Sequence, residues 1–544
     1  MCSSDLVGSG SEEPNALVAV IRDDARRTPN LRATQVEIYE GLVAESQNRW
    51  PSLDFDVGAI NSVFSPLLPA GFYNKTFMWP RSWWHKFYEP NIRAAAGLGT
   101  APTLPDPDRY AQQYAHCDVL IVGAGPAGLA AALAAGEAGA RVILCDEQPE
   151  MGGSLLCERT ASVDGLPATD WVRQAVTKLQ SLPRVRLLPR TTAFGYFPHN
   201  SLGLVERITD HEATPAPHLP RERLWQIRAT EVVLTTGGIE RPLIFPGNDR
   251  PGVMLASAAR TYANRYGVRV GDRVAVLAGC DAAFEAAVDL SAAGATVAVI
   301  ADVRGPGSID GAGFAAAKAA GLRIMPYATA LGVTGTKRVT GVQLGIVSPE
   351  GNVVSGEHIN CDVLVMSGGF TPSVHLHSQS RGKLLFDEAL GAFVPAATAE
   401  RTRSEGLCRG TSGLAAVLAD GAAAGSAAAV ATGFTSTPSS HTAVGGAVGV
   451  AGKPGALPQM AGSIPPAKAF VDFQNDVTTR DIALAQREGF ESIEHIKRYT
   501  TTGMATDQGK TSGLNALGIV AESSQRRIAE VGLTTDRKST RLNS

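Results

Sequence analysis

A glycine-rich turn between two apolar strands is the strongest chemical signal in the sequence. The stretch that begins at Cys117 reads CDVLIVGAGPAGLAAALAAGEAGARVILCDEQ. A strand, a Gly-x-Gly-x-x-Gly turn, a helix and a second strand form the usual binding unit for a dinucleotide. The turn and the helix N-terminus bring backbone N–H groups to the pyrophosphate. The sequence therefore predicts a dinucleotide site at this turn.

Each glycine of the turn has its own expected role. Gly123 permits the tight turn, Gly125 lets the backbone approach the pyrophosphate, and Gly128 lets the helix pack closely on the strand. Asp146 ends the second strand and is expected to accept a hydrogen bond from a ribose hydroxyl, a role that Glu147 could share. An acid at this position favours NAD or FAD over NADP.

Further cofactor contacts are expected beside the turn and at two later strand–glycine segments, which begin at Val232 and Asp362. These segments are expected to return the chain to the first dinucleotide unit, and an Ala-rich helix after Gly410 is expected to close it. The additional candidate residues are Pro126, Ala127, Gln148, Gly153, Ser154, Thr236, Gly237, Gly369 and Gly413.

The glycine pattern alone does not distinguish NAD from FAD. With its strand–glycine segments the sequence resembles the two-dinucleotide-domain flavoproteins. In many flavoenzymes of that superfamily an aspartate binds the flavin chain just before the closing helix. The corresponding stretch here, LCRGTSG, has no acid. This difference counts against FAD.

A second βαβ unit follows, but it lacks the glycines that a phosphate needs. Its turn has Ala278, Cys280 and Ala283 at the three glycine positions. Side chains there occupy the space in which backbone must approach a pyrophosphate. We therefore expect a structural or weakly binding unit. No CxxC pair is present, which excludes dithiol chemistry of the thioredoxin reductase type on this chain.

A near-match to a phosphate-binding P-loop lies in KRYTTTGMATDQGKTSG, which begins at Lys497. Five residues, not the required four, separate Gly503 from the pair Gly509 and Lys510. The preceding stretch predicts two short helices divided by Gly489, whereas a P-loop follows a buried strand. The spacing argues against a nucleoside triphosphatase.

The composition bounds the class of protein. Hydrophobic residues make up 44% of the 544 residues and the formal net charge is −3, which fits a globular protein and gives no basic surface for nucleic acid. Seven scattered cysteines without a CxxC pair, and no signal peptide, favour a cytoplasmic protein with reduced thiols. The Ala-rich run after Gly413 is too weakly apolar to favour a membrane span, so we expect a packed helix.

Trp79, Trp83, Trp84, Phe87 and Tyr88 crowd a proline-rich segment before the glycine turn. They could form a core plug or a subunit contact, and ordinary packing against the main domain is an equally good explanation.

The fold class expected is α/β, with a two-dinucleotide-binding-domain core of Rossmann type, a degenerate Rossmann insertion and a small α-rich C-terminal module. Both termini look foreign, so we expect a fragment. The predicted segments are a domain remnant (1–20), a connecting segment (21–115), the first dinucleotide domain (116–250), the insertion (251–335), the returning part of the first domain (336–433), a Gly/Pro/Ser linker (434–467), the module (468–525) and a truncated tail (526–544).

Several stretches resemble the α subunits of heterotetrameric sarcosine oxidases. These are GSEEPNALV, LRATQVEIYEGLVAESQNRWPSLDFD, VDFQNDVT and HIKRYTTTGMATDQGKTS, together with the GAGPAG turn and DEQ. The resemblance implies a fragment that lacks most of an N-terminal ferredoxin-like domain and a C-terminal folate-binding domain. It also implies an NAD held tightly in the first Rossmann unit, an FMN at the boundary with a β subunit, and β, γ and δ partners, with no nucleic acid or membrane.

The same resemblance implies oxidative demethylation of sarcosine to glycine, with hydrogen peroxide and either formaldehyde or methylenetetrahydrofolate as products. The chemistry would take place mainly on an FAD of the β subunit. No catalytic residue is therefore expected on this chain, and the fragment alone is expected to be inactive.

Related α subunits of amine and opine dehydrogenases carry a [2Fe–2S] module where this chain has its C-terminal module. The four cysteine positions are Asp472, Gln474, Asp507 and Ser512 here. No thiolate remains, so the resemblance implies no iron–sulfur cluster and no metal. The module's remaining basic and hydroxyl residues are candidates for contact with FMN, namely Arg498, Lys510 and Thr511.

Two alternatives remain open. The chain could be an independent FAD-dependent pyridine-nucleotide oxidoreductase, although the degenerate second unit and the missing CxxC count against it. It could also be a non-catalytic scaffold, stabilised by its nucleotide, in a related N-methyl amine or opine dehydrogenase complex.

Overall fold

A computed structural model describes most of the chain. The described residues are 6–7, 17–23, 26–47, 49, 51–52, 55–57, 70–71, 79–95, 99–309, 311–446, 451–460 and 468–533. The predicted remnant at 1–20, the end of the linker and the tail at 526–544 lie largely outside them.

A seven-stranded mixed sheet carries the glycine turn. Its central strand, Tyr110–Val122, is buried from Cys117 onward, as expected for an apolar strand covered on both faces. It pairs in parallel with Val142–Cys145 on one side and Glu222–Leu234 on the other. The strand order is Val185–Leu188, Val142–Cys145, Tyr110–Val122, Glu222–Leu234, Ser201–Arg207 and Thr191–Phe197, with Thr402–Ser404 also paired to Glu222–Leu234.

The second Rossmann unit forms its own five-stranded parallel sheet. The predicted strand, helix and strand are present as Arg273–Ala278, Ala282–Ala292 and Thr296–Asp302. The full strand order is Val253–Leu255, Val363–Ser367, Arg273–Ala278, Thr296–Asp302 and Ile324–Met325.

The structure corrects the expectation that the segment from Asp362 returns to the first unit. Val363–Ser367 instead lies between Val253–Leu255 and Arg273–Ala278 in the second sheet. All five of its residues are buried there. The prediction of an apolar strand was therefore correct, but the predicted sheet was wrong. The strand that returns to the first sheet is the much shorter Thr402–Ser404. The second unit therefore extends well past residue 335, where the insertion was predicted to end.

Smaller elements complete the described fold. The short strands are Leu17–Asp23, Arg26–Arg32, Val43–Ser46, Ser162–Val163, Leu166–Pro167, Gly238–Glu240, Ala328–Thr334, Gly341–Val347, Val353–Asn360, Phe370–Pro372, Leu384–Asp387, Ala392–Pro395 and Ala443–Val444. The further α-helices are Glu89–Ala95, Ala168–Ser181, Ala256–Arg260, Ala312–Ala319 and His375–Gln379.

The helix that follows the glycine turn packs against a helix from near the far end of the fold. We call Pro126–Glu137 the turn helix and Leu414–Ala431 the closing helix. A Cβ atom added at Gly421 would lie 2.1 Å from the carbonyl oxygen of Ala127, and one at Gly425 would lie 2.1 Å from that of Ala131. The closing helix is long and apolar enough to cross a membrane, contrary to the expectation from its sequence. Half of it is buried, and its buried face packs in the core against the turn helix, as expected for a packed helix.

The C-terminal module (described residues 468–533) is mainly helical. A hairpin of Phe470–Asp472 and Val477–Thr478 is followed by the helices Thr479–Arg487, Ile493–Thr500, Gly513–Ser523 and Ile528–Val531. Gly489 separates the first two helices with a φ of +91°. The glycines of the near-P-loop follow a helix rather than a strand, and Cβ added at Gly503 would lie 3.2 Å from the Cα of Gly509. Their loop is folded on itself and is not a P-loop.

A buried arginine joins three distant segments of the fold. Arg241 is 1% exposed. Its guanidinium donates to the carbonyl oxygens of Gly368 (3.2 Å), Gly391 (3.0 Å) and Gly452 (2.6 Å). No carboxylate pairs with it in the described part of the chain, and burial lowers its pKa to about 10. Gly452 belongs to the predicted linker, so this segment is fixed to the core.

The predicted linker also pairs with strands. Ala443–Val444 pairs antiparallel with Ser162–Val163, and Leu457 N donates to the Ile244 carbonyl oxygen at 2.8 Å. Backbone pairing of this kind leaves no side-chain periodicity in the sequence.

In the aromatic segment, Trp83, Phe87 and Tyr88 contact one another, while Trp79 is 84% exposed. These contacts do not form a core plug.

Candidate dinucleotide and cofactor site

One cavity of about 1660 Å³ extends from the glycine turn to the C-terminal module. Ordinary ligand pockets measure ~300–1,000 Å³, so this cavity has room for more than one small ligand. Of the residues predicted for the site, all except Gly128 and Gly369 line it. They are Gly123, Gly125, Pro126, Ala127, Asp146, Glu147, Gln148, Gly153, Ser154, Thr236, Gly237 and Gly413 at one end and Arg498, Lys510 and Thr511 at the other.

The three glycines of the turn differ in what surrounds them. Gly123 has a φ of +101°, and Cβ added there would lie 2.3 Å from the Thr235 carbonyl oxygen. Cβ added at Gly128 would lie 1.8 Å from the Gly123 carbonyl oxygen. Nothing lies within 4 Å of the corresponding position at Gly125. Gly125 is therefore the glycine that leaves open space in the cavity.

Thr235 fixes the turn from the neighbouring strand and was missed by the sequence reasoning, which named only Thr236 and Gly237. Its hydroxyl lies 3.0 Å from the Val122 carbonyl oxygen and 2.7 Å from that of Gly123. The signal available was its place directly after an apolar strand, at the edge where parallel strands end.

The carboxylate of Asp146 supports the turn itself. One oxygen accepts from Ala124 N at 2.6 Å and the other from Gln148 N at 2.8 Å. Burial raises the pKa of this carboxyl, and the two backbone donors act in the opposite direction. The predicted contact with a ribose hydroxyl remains a prediction.

A segment near the N-terminus closes the same end of the cavity. Glu37 accepts two hydrogen bonds from Arg190, at 2.7 and 2.8 Å. Arg207 donates to the carbonyl oxygens of Gln35 (2.9 Å) and Glu147 (2.6 Å). Gln35 and its neighbour Arg32 line the cavity beside the predicted ribose acids. No sequence pattern links these residues to the site.

A hydrogen-bonded pair of turns also lines the cavity. Thr236 donates from its hydroxyl to the Ser373 carbonyl oxygen at 2.7 Å, and Ser373 N donates to the Gly237 carbonyl oxygen at 3.0 Å. His375 follows two residues later and lines the cavity. Gly369 does not line the cavity. Its carbonyl oxygen accepts a hydrogen bond from Arg241 N at 2.8 Å.

Carboxylates occupy two of the four positions at which the resemblance expects cysteines in relatives. Asp472 is 2% exposed and accepts from Gly503 N at 2.7 Å and Gln474 N at 3.0 Å. Asp507 is 1% exposed and accepts from Thr511 Oγ1 at 2.7 Å. Within the described ranges, no group of three or more His, Cys, Asp or Glu residues could hold a metal ion.

At the corresponding turn of the second unit, side chains contact one another. Cys280 Sγ lies 3.2 Å from Ser367 Oγ. Asp302, at the acid position, accepts from Arg304 Nη2 at 2.8 Å and Nε at 3.1 Å. These contacts agree with the steric argument that a pyrophosphate has little room at this turn.

Two family models match the chain. The model described as "Pyridine nucleotide-disulphide oxidoreductase" matches residues 117–395, more than half of the chain. The model described as "Sarcosine oxidase A3 domain" matches residues 466–543, which include the C-terminal module.

The chain is similar to curated proteins named "Sarcosine oxidase subunit alpha". It is 48% identical to the one from Rhizobium meliloti (strain 1021), over 98% of this chain and 52% of that protein. It is 40% identical to the one from Corynebacterium sp. (strain P-1), over 81% of this chain and 46% of that protein. The chain thus spans about half the length of these relatives.

A solved structure of L-proline dehydrogenase from P. horikoshii has the same fold. The TM-score is 0.62 at 18% identity, over 98% of this chain and 87% of that one. The likeness confirms the predicted α/β architecture of Rossmann type.

Proposed function

Since the chain belongs to the pyridine nucleotide-disulphide oxidoreductase family and is homologous to the α subunits of sarcosine oxidase, we propose that it is the NAD-binding α subunit of such a complex. The complex would demethylate sarcosine to glycine, with hydrogen peroxide and either formaldehyde or methylenetetrahydrofolate as products. The β, γ and δ subunits would be its partners, and we propose a cytoplasmic location.

The observation that carries the proposal is the open space at Gly125 inside the large cavity. The residues present fit a dinucleotide. The turn helix begins at the turn with Pro126, and a helix N-terminus attracts phosphate through its unpaired N–H groups and its partial positive charge. Asp146 and Glu147 line the same end and offer carboxylates to a ribose.

We propose that the chemistry takes place on a partner subunit and that this chain binds and orients the nucleotide. A bound flavin would supply the redox chemistry of amine oxidation. The residues of this chain hold the nucleotide, exclude water from it and dock the partner. On this view the isolated chain does not oxidise sarcosine, and a related N-methyl amine is the runner-up substrate.

The nucleotide can be identified directly. The purified chain would be denatured and the released compound identified by its absorption spectrum and mass. We expect NAD near one equivalent, without flavin and without NADP. Stoichiometric FAD would instead favour the independent oxidoreductase, since the glycine turn would then serve a flavin.

We further propose that an FMN lies at the module end of the cavity, at the boundary with the β subunit. The supporting residues are Arg498, Lys510 and Thr511, which line this end. We expect Lys510→Ala to lower the FMN content and turnover of the assembled complex while NAD is retained. Unchanged FMN content and turnover would remove Lys510 from the site. Lys497→Ala is the matched control, because Lys497 lines the same cavity from the helix Ile493–Thr500, whereas Lys510 lies in the loop before the helix Gly513–Ser523.

A further inference from the structure

A short loop beside the glycine turn contacts both Rossmann units. We call residues 150–158 the clasp loop. On one side the loop lies on the turn, where Gly152 N donates to the Ala124 carbonyl oxygen at 2.8 Å. Cβ added at Gly153 would lie 2.9 Å from the Cα of Gly125. The clasp loop is therefore in close contact with the glycine that leaves open space for the proposed nucleotide.

The other side of the clasp loop is hydrogen-bonded to the second unit. The partners are the helix Ala256–Arg260 of that unit and the helical turn that continues it. Asn264 Nδ2 donates to the Cys157 carbonyl oxygen at 2.8 Å. Cys157 Sγ lies 3.4 Å from Thr261 Oγ1. These contacts join a loop of the first unit to a helix of the second.

An ion pair with little exposure completes the contact. The Arg260 guanidinium pairs with Glu158 of the clasp loop at 3.1 Å, and the two side chains are 12% and 5% exposed. It also pairs with Glu285 at 3.0 Å and with Asp289 at 2.8 Å, both from the helix Ala282–Ala292 of its own unit. These two carboxylates would stay with Arg260 if the units moved apart. The pair with Glu158 is therefore the one that separation of the units would break.

A narrow ribbon joins the two units. Gly238–Glu240 carries the chain out of the first unit, Phe370–Pro372 carries it back, and the two strands pair over three residues. Gly237 and Gly369 precede these strands with φ of +69° and +94°, a region that favours glycine. Hinge motions of domains use a few residues at the ends of such elements. The contacts of the clasp loop thus help to fix how the units are oriented.

The clasp contacts also form part of the wall of the cavity. Glu158, Arg260 and Thr261 line the cavity, as do Gly153 and Ser154 of the clasp loop. Separation of the loop from the second unit would therefore open this wall beside the glycine turn.

We propose that the clasp loop controls release of the dinucleotide: NAD leaves the first unit only after the loop and the second unit separate, and bound NAD in turn holds the two units together. The two effects are reciprocal, because a ligand that favours the closed arrangement is itself bound more tightly by it. The inference rests on the proposed NAD site and gives Glu158, Arg260 and Asn264 a positioning function there. It also gives the degenerate second unit a function that needs no ligand of its own.

The test is exchange of bound NAD for an excess of isotopically labelled NAD, followed by mass spectrometry of the nucleotide that the chain retains. Asn264→Ala removes the hydrogen bond to Cys157, and Asn264 is not among the residues that line the cavity. Any effect on exchange must therefore act through the clasp. We expect exchange to become faster by about tenfold, and Glu158→Gln to have a similar effect.

Glu285→Gln is the matched control. It makes the same chemical change to a carboxylate on the same guanidinium, but within the second unit. We expect exchange at the wild-type rate, with a loss of thermal stability like that of Glu158→Gln. A faster exchange confined to Glu158→Gln is then caused by the lost contact between units and not by lost stability.

Thr261→Cys tests the opposite change. The new thiol would face Cys157 across the contact between the units. A disulfide formed there with oxidised glutathione would fix the clasp loop to the second unit. We expect NAD exchange to slow by about tenfold in the oxidised chain and to return to the wild-type rate after reduction.

Amide hydrogen exchange measures the reciprocal effect. Bound NAD should slow exchange in residues 256–265 of the wild-type chain and should slow it less in Asn264→Ala. Equal exchange in these residues with and without NAD would contradict the proposed coupling.

Three further results would overturn the inference. These are NAD release from Asn264→Ala at the wild-type rate, equal acceleration in Glu285→Gln and Glu158→Gln, or an unchanged rate in the oxidised, disulfide-linked Thr261→Cys chain. In each case the NAD-binding proposal stands. Absence of NAD from folded wild-type chain would instead refute the proposed function.

Discussion

Gly125→Ala is expected to abolish retention of the nucleotide while leaving the fold intact. Gly125 has φ −71° and ψ −171°, which alanine adopts without strain, and an added Cβ meets no protein atom within 4 Å. The methyl group would instead occupy the space expected for the pyrophosphate. We expect affinity for NAD to fall by about 100-fold, equivalent to ~2.7 kcal/mol.

Gly128→Ala is the informative comparison. Its Cβ would lie 1.8 Å from the Gly123 carbonyl oxygen, so the turn helix must move away from the strand. We expect a loss of stability of about 3 kcal/mol in addition to loss of NAD. Thermal unfolding of the nucleotide-free chains separates the two variants. If Gly125→Ala kept its NAD, or melted as early as Gly128→Ala, the ligand would not occupy the turn as proposed.

Arg241→Met is expected to cause the largest loss of stability. The substitution removes a charged donor from three carbonyl oxygens, those of Gly368, Gly391 and Gly452, which belong to separate segments. Methionine fills much of the volume but leaves buried carbonyl groups unpaired. Each such group costs ~1–3 kcal/mol, so we expect a loss of about 4 kcal/mol in the free energy of unfolding.

The control for this experiment is Arg273→Met. The Arg273 side chain is exposed and donates to a carbonyl oxygen, that of Asn360, at 2.8 Å. Water can replace this bond, so we expect a change within about 0.5 kcal/mol. Urea unfolding followed by circular dichroism measures both variants. Similar losses of unfolding free energy in the two variants would mean that the burial of Arg241 adds nothing to the cost of losing its hydrogen bonds.

The elements with a strong local signal could be predicted from the sequence. The glycine turn, both Rossmann units and the paired helices around Gly489 each have a period or a turn residue that fixes them locally. Val363–Ser367 shows the limit of this reasoning. Its apolar run predicts a buried strand, but the choice of sheet depends on hydrogen bonds with Val253–Leu255 and Arg273–Ala278, which no local pattern encodes.

The parts of the site that escaped prediction are those assembled from distant segments. His375 lines the same cavity as Lys510, which was predicted for the site, but His375 itself belongs to no recognisable pattern. Gln35 also belongs to no recognisable pattern, although its carbonyl oxygen accepts a hydrogen bond from Arg207. Such pairs are set by tertiary packing, so sequence reasoning found the glycine end of the cavity in more detail than the module end.

The contact between the turn helix and the closing helix has a consequence for biosynthesis. The glycine turn leaves the ribosome before the closing helix, which packs on the turn helix through Gly421 and Gly425 and is made only after the second unit. The wall formed by the C-terminal module emerges later still. A nascent chain therefore cannot enclose its ligand until the C-terminal module has been made. Until then one face of the turn helix in the first Rossmann unit stays uncovered.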